Sequence, residues 1–446
     1  MYWSQVRVLA GPPNIMIKLK KLNSTNLSLQ LYFLIFSAIV IYIERDVYLA
    51  PFYFTNQESL PALQTYLSSL ATFFRNDLAF LTPKSLNFDL APDAFPSHWS
   101  NVFFLIFSPI VKIFGFDYLA GRIFAISLNL LGILIIINNL FKSKNLVIIL
   151  FPLLIFTPAF KNGLAFLYCD NLVFLLFGIF LYLYKNFYTK PIFYIYLLIS
   201  AISVHYSIII ISFFLFSEFI FKKINKKDFI INIISIFLVS VITLFILASL
   251  DAFHSLAEKI LLRFSLPTEN NEFFSLSLSA NSFLRRIYLF FDHVRVNFGY
   301  VSVFLLFFSF ILSFYKKDRL FSYFFAFTCY AMFLAKYTIS HNFVSIQYVL
   351  AVYFLIIYFI DYIFKKNSFR LKFSIVILLV ISVFFIKINR DIYTEEPELK
   401  KAYLIYKNVN LGNVKEETLL ELKNHYWLRI YPIDHKLRQM KFYILN

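Results

Sequence analysis

The chain has little charge, few glycines and almost no cysteine. Only 15% of its 446 residues are charged, against about a quarter in a soluble domain. The two cysteines, Cys169 and Cys329, lie far apart, which excludes a disulfide framework and a CxxC metal site. There is no internal repeat, no low-complexity tract and no Gly/Ser linker. The first apolar run is not followed by a small-residue cleavage site, so a cleavable signal is not expected. Met16 offers a second start.

What the chain has is apolar length. Hydrophobic residues make up 60% of it and the mean hydropathy is +0.71. Runs of 18 or more apolar residues recur, each long enough for ~30 Å of hydrocarbon. This predicts an all-α polytopic membrane protein. The 60 Phe and 30 Tyr, with Lys well above Arg, read as the codon bias of an AT-rich genome rather than as a binding surface. A net charge of +17 would suggest nucleic acid in a soluble protein. Here the lysines cluster between apolar runs, as topology signals and lipid contacts do, so no nucleic-acid partner is expected.

Charge placement predicts the topology. Residues 1–26 are basic and precede a first span at 27–44, which puts the N-terminus in the cytoplasm. A first outer loop, 45–117, is acidic on balance over residues 45–100. Within it, the apolar stretch 101–116 is short and contains Pro109 and Lys112. Taken as a span, it would place Lys142/Lys144 and Lys185/Lys190 outside. Taken as a helix lying in the outer interface, it leaves five inner connections, all basic. That choice predicts spans at 118–141, 146–168, 171–187, a tight pair over 191–222, then 229–250, 299–315, 320–335, 342–364 and 373–388, about eleven crossings in all. A second outer loop covers 251–298. The charged segment 389–446 reads as a small extracytoplasmic appendage, too short for a large core.

Ionisable residues at mid-depth usually mark ion or proton pathways, and few are evident. Glu218 and Asp361 fall near inner ends beside lysines and are expected to pair with them; His205 lies at the turn of the tight pair. This argues against an ion-coupled transporter. The polar residues collect on the outer side. Glu44-Arg45-Asp46-Val47-Tyr48 closes the first span, either as an ordinary helix-end cluster or as the source of a general base. Asp170 stands alone between apolar runs, either capping the next helix or facing a ligand. His98 lies in Phe95-Pro96-Ser97-His98-Trp99-Ser100. The second outer loop carries His254, Lys259, Arg263, Arg285, Arg286, His293 and Arg295, and a short outer turn adds Lys336 and His341. Arg and His near a membrane either face solvent or hold a lipid-linked phosphate.

In this order the motifs over roughly 27–250 resemble the GT-C superfamily of membrane glycosyltransferases. The likeness is to the branch of protein O-mannosyltransferases and the lipid A aminoarabinose transferase. The features are the acidic pair and Tyr closing the first span (Glu44, Asp46, Tyr48), the Pro-containing stretch Phe95–Trp99, and the apolar helix ending in Phe114-Gly115. Arg122 then opens the next span and Asp170 opens a later one. Some positions depart from the pattern. Arg45 separates the acidic pair, Pro96-Ser97 stands where two prolines are usual, His205 takes the place of a mid-span Lys, and Gln347 that of an outer Arg.

The resemblance implies transfer of a sugar from a polyprenyl-phosphate donor to a lipid, glycan or protein acceptor. The setting would be the outer face of a bacterial plasma membrane. It implies Asp46 as base with Glu44 as competitor, and Asp170 orienting the acceptor or binding Mg or Mn. Arg122, His98, Arg285, Arg286, Arg295 and His341 would meet phosphate or substrate. The alternatives are an O-antigen polymerase or ligase, and a lipid-linked oligosaccharide flippase.

Overall fold

The computed structural model describes residues 24–49, 102–114, 117–141, 144–188, 190–204, 206–249, 280–333 and 345–366. His98, His205, His341, most of the first outer loop, the span expected at 373–388 and the segment 389–446 lie outside them. Arg285 and Arg286 fall in a described helix whose side chains are not described at those positions.

Regular secondary structure among the described residues is helical throughout. In chain order the helices are α1 (Ser24–Ile43), the four-residue α2 (Arg45–Tyr48), α3 (Val102–Phe114), α4 (Tyr118–Leu140), α5 (Asn145–Leu154), α6 (Pro158–Gly163), α7 (Leu172–Phe187), α8 (Pro191–Ser203), α9 (Ser207–Ile220), α10 (Lys226–Ser249), α11 (Ala280–Phe298), α12 (Tyr300–Tyr315), α13 (Arg319–Phe333) and α14 (Ser345–Lys366). Two segments among the described residues, Tyr118–Leu140 and Ser345–Ile363, are single helices long and apolar enough to cross a membrane. The bent pair α11–α12 makes up to three. This is compatible with a helical membrane protein.

Helix ends follow local chemistry. Asp117 caps α4, its carboxylate accepting from Leu119 N at 2.9 Å. Pro158 and Pro191 stand at the first positions of α6 and α8, where a missing N–H costs nothing. Helices α9 and α12 end on residues in the left-handed region, Lys222 (φ 59°) and Lys317 (φ 50°). Each is followed by an N–H that returns to the last turn: Lys223 N to Glu218 O at 2.9 Å, and Asp318 N to Ser313 O at 3.0 Å.

Helix α3 is 13 residues long, about 20 Å, and so falls short of a hydrocarbon core. It buries Phe103, Phe107 and Val111 at i, i+4 and i+8, with Phe107 and Phe103 against Phe124 of α4. Leu105, Ile106, Ile113 and Phe114 face outward.

The tightest contact is between α4 and α7. A Cβ on Gly132 would collide with Leu175 N and the Phe174 carbonyl carbon. A Cβ on Gly178 would sit 3.0 Å from Ile135 Cβ and 3.1 Å from Gly132 O. Small residues let the two backbones approach, the usual basis of close helix association in lipid.

Glu218 and Asp361 do pair with lysines. Glu218 is buried and meets Lys223 at 3.0 Å, Arg319 at 3.3 Å and the Ser322 hydroxyl at 2.6 Å, which ties the end of α9 to the start of α13. Asp361 pairs with Lys365 at 2.6 Å.

Candidate functional site

One expected span departs from regularity. The run 146–168 is not a continuous helix: α5 ends at Leu154, α6 is a single short helix, and Leu164–Tyr168 follow without helical structure before a 3₁₀ turn at Cys169–Asn171. Pro152 and Pro158 explain the break, because neither can donate to the helix ladder. Leu164, Ala165, Phe166, Leu167 and Tyr168 are all buried. Buried irregular backbone needs partners for its carbonyls, and in lipid it is tolerated only inside protein or along a cavity.

Those partners are the residues singled out in the sequence, with some it did not reveal. Tyr48 is fully buried and its hydroxyl donates to Ile155 O. Asn129 Nδ2 donates to Leu164 O at 2.8 Å, and Arg122 Nη1 to Ala165 O at 3.2 Å. Thr157 Oγ1 donates to Leu154 O at 2.7 Å. Lys161, carried on α6, forms an ion pair with Glu44 at 3.1 Å; the Glu44 side chain is 1% exposed and that of Lys161 10%. At the far end Asp170 is buried and accepts from the Tyr206 hydroxyl, and Tyr206 stacks on Tyr330 at 5.3 Å. The interval between α5 and α7 therefore gathers Glu44, Tyr48, Arg122 and Asp170, which lie up to 126 residues apart in the chain.

Asp46 is not in this cluster. Its side chain is 89% exposed on the short helix α2, just after α1, with Arg45 4.0 Å away; Arg45 in turn stacks over Tyr42 at 5.1 Å. Helix geometry accounts for the divergence of Glu44 and Asp46, since successive residues point about 100° apart. Arg295 is also elsewhere. It lies on an outer face of α11, bonded to Asp292 through Nε at 2.9 Å and Nη2 at 2.6 Å.

Helix α11 still touches the site through a different face. Asn297 is buried, its Oδ1 accepts from Ala159 N at 2.8 Å, and it thereby caps α6, the helix that carries Lys161. His293 Nδ1 and the Tyr348 hydroxyl share a hydrogen bond that links α11 to α14.

Two buried amide atoms near this region have no partner among the described residues. One is Asn171 Nδ2, beside Asp170, and the other is Gln347 Oε1 at the start of α14. A buried donor left unsatisfied costs about 1–3 kcal/mol, so water or a bound molecule is the natural complement.

Among the described residues no group of three His, Cys, Asp or Glu occurs. Asp170 has the Tyr206 hydroxyl as a hydrogen-bonding neighbour.

Lys161, Asn129, Tyr206, Tyr330 and Asn297 were not picked out from the sequence. Lys161 had a signal, an ammonium inside an apolar run flanked by Pro158 and Gly163. The others are single polar or aromatic residues in apolar helices, and only the fold pairs them.

No protein-family model matches the chain, and neither does any curated protein or solved structure.

Proposed function

We propose that the chain is a multi-pass membrane glycosyltransferase. It would move a sugar from a polyprenyl-phosphate donor to a lipid, glycan or protein acceptor at the outer face of a bacterial plasma membrane. The observation that carries this reading is the convergence of Glu44, Tyr48, Arg122 and Asp170 on one broken, buried segment. The same residues carry the GT-C likeness in the sequence.

The roles follow from exposure and pairing. Asp46 is open to an incoming acceptor, and so is the base that takes its hydroxyl proton. Glu44 is committed to Lys161 and acts as a positioning residue, holding the end of α1, and with it Asp46, against α6. Asp170, with the Tyr206 hydroxyl, orients the acceptor. In the transfer the acceptor oxygen bonds to the anomeric carbon as the bond from that carbon to the phosphate oxygen breaks. The proton passes to Asp46, and the polyprenyl phosphate leaves with the electron pair. Arg122, Arg285, Arg286, His98 and His341 are the candidate cations for that charge. About eleven crossings, with α3 in the outer interface, put these residues on one side.

Two measurements test the reading. Asp46→Ala should abolish transfer of labelled sugar in membranes while leaving protein abundance unchanged; full transfer in both Asp46→Ala and Glu44→Ala would end the assignment. A reporter fused after Lys144 should read cytoplasmic, and an outside reading would make α3 a span and reverse the topology.

A further inference from the structure

Away from that site, α11 and α12 diverge by 118° at Gly299, whose φ of 76° suits a residue without a side chain. The bend exceeds a right angle, so the two helices form a V. Between its arms lies a groove of about 890 Å³. Its deep wall is Val303, Phe304, Phe307 and Phe308, the first turns of α12. Phe304 and Phe307 are 71% and 62% exposed, because α12 turns its small residues, Ser302, Ser309 and Ser313, toward the protein. Its polar end is Asp292, Arg295 and Tyr300. Arg295 is held by Asp292, stacks on the Tyr300 ring at 5.3 Å and directs Nη1 to the Tyr300 hydroxyl at 3.4 Å.

We infer that this groove binds a zwitterionic amino-phospholipid of the phosphatidylethanolamine type. The charge pattern decides the class. Among the described residues that line the groove, the charged ones, Asp292 and Arg295, sum to zero, so the polar end has no net attraction for an anionic lipid, and Asp292 repels one. A headgroup with both a phosphate and a primary ammonium matches both residues. The phosphate oxygens take the Arg295 donors, the ammonium donates to Asp292, and one internal ion pair is exchanged for two across the interface. A trimethylammonium head keeps the charge but has no N–H to donate to Asp292. The apolar wall then takes an acyl chain. It runs along α12 from Tyr300 to Phe308, about 12 Å at 1.5 Å per residue, enough for part of an acyl chain. This site is independent of the sugar-transfer reading and stands or falls without it.

The test uses the full chain in detergent, offered equal amounts of phosphatidylethanolamine, phosphatidylcholine and phosphatidylglycerol of matched chain length. Retained lipid is counted by native mass spectrometry. The expected order is ethanolamine over choline over glycerol, with the first retained about tenfold over the last, the equivalent of ~1.4 kcal/mol. Asp292→Asn should remove the preference, Asp292→Glu should keep it, and Arg295→Gln should lower retention of all three. Melting of each variant without added lipid checks that it is folded. Equal or stronger retention of phosphatidylglycerol by the wild-type chain would overturn the inference, as would a preference that survives in folded Asp292→Asn.

Discussion

Replacing Lys161 by Met probes the centre of the fold, and the structure fixes how the cost should divide between the two partners. The Glu44 side chain is 1% exposed, so Lys161→Met leaves a buried carboxylate without this cation. Breaking a buried pair in that way costs about 3–5 kcal/mol. The reverse change, Glu44→Gln, leaves the Lys161 ammonium, whose side chain is 10% exposed on a flexible stem. A lysine can reposition its head toward water, so the expected cost is smaller, about 1–2 kcal/mol. Replacing both with uncharged residues of similar shape should recover much of the larger loss, because no buried charge remains. Equilibrium unfolding in mixed micelles of wild type, both single variants and the double variant closes the cycle. The expected coupling is about 1.5 kcal/mol or more, with Lys161→Met the more damaging single change. Equal costs in the two single variants, or a double variant equal to their sum, would show that the pair does not hold α1 against α6.

Other consequences are direct. Gly132→Ala should lower stability by about 3 kcal/mol or more, because its Cβ would meet the α7 backbone, whereas Gly178→Ala, facing a side chain at 3.0 Å, should cost about 1 kcal/mol; thermal melts in detergent separate the two. Tyr206→Phe keeps the stacking on Tyr330 but removes the hydroxyl on buried Asp170, so it should reduce transfer activity and lower stability by about 1–3 kcal/mol.

Much of the helical layout was legible in the sequence. The expected 118–141, 171–187 and 299–315 correspond closely to Tyr118–Leu140, Leu172–Phe187 and Tyr300–Tyr315, because Asp117, Asn171 and Gly299 punctuate long apolar runs. The run 191–222 forms two short helices, Pro191–Ser203 and Ser207–Ile220, a pairing its length allowed. The break after Leu154 was not, although Pro152 and Pro158 are visible, because membrane helices tolerate proline when neighbours satisfy the freed carbonyls. Those neighbours, Tyr48, Arg122 and Asn129, come from distant parts of the chain. The site was half legible. Asp170 stood out as an isolated Asp, Glu44 as part of the acidic cluster closing the first span and Arg122 through the GT-C resemblance, whereas Lys161 hid in an apolar run. Which member of the Glu44/Asp46 pair turns inward depends on how α1 ends, and spacing alone does not set that.

The most direct test of the proposed activity is a reconstituted reaction. The purified chain in proteoliposomes, given a polyprenyl-phosphate-linked radiolabelled sugar and an extract of envelope acceptors, should release free polyprenyl phosphate in step with single-sugar transfer, and Asp46→Ala should do neither. Movement of the intact lipid-linked sugar across the bilayer without release of carrier would contradict the account.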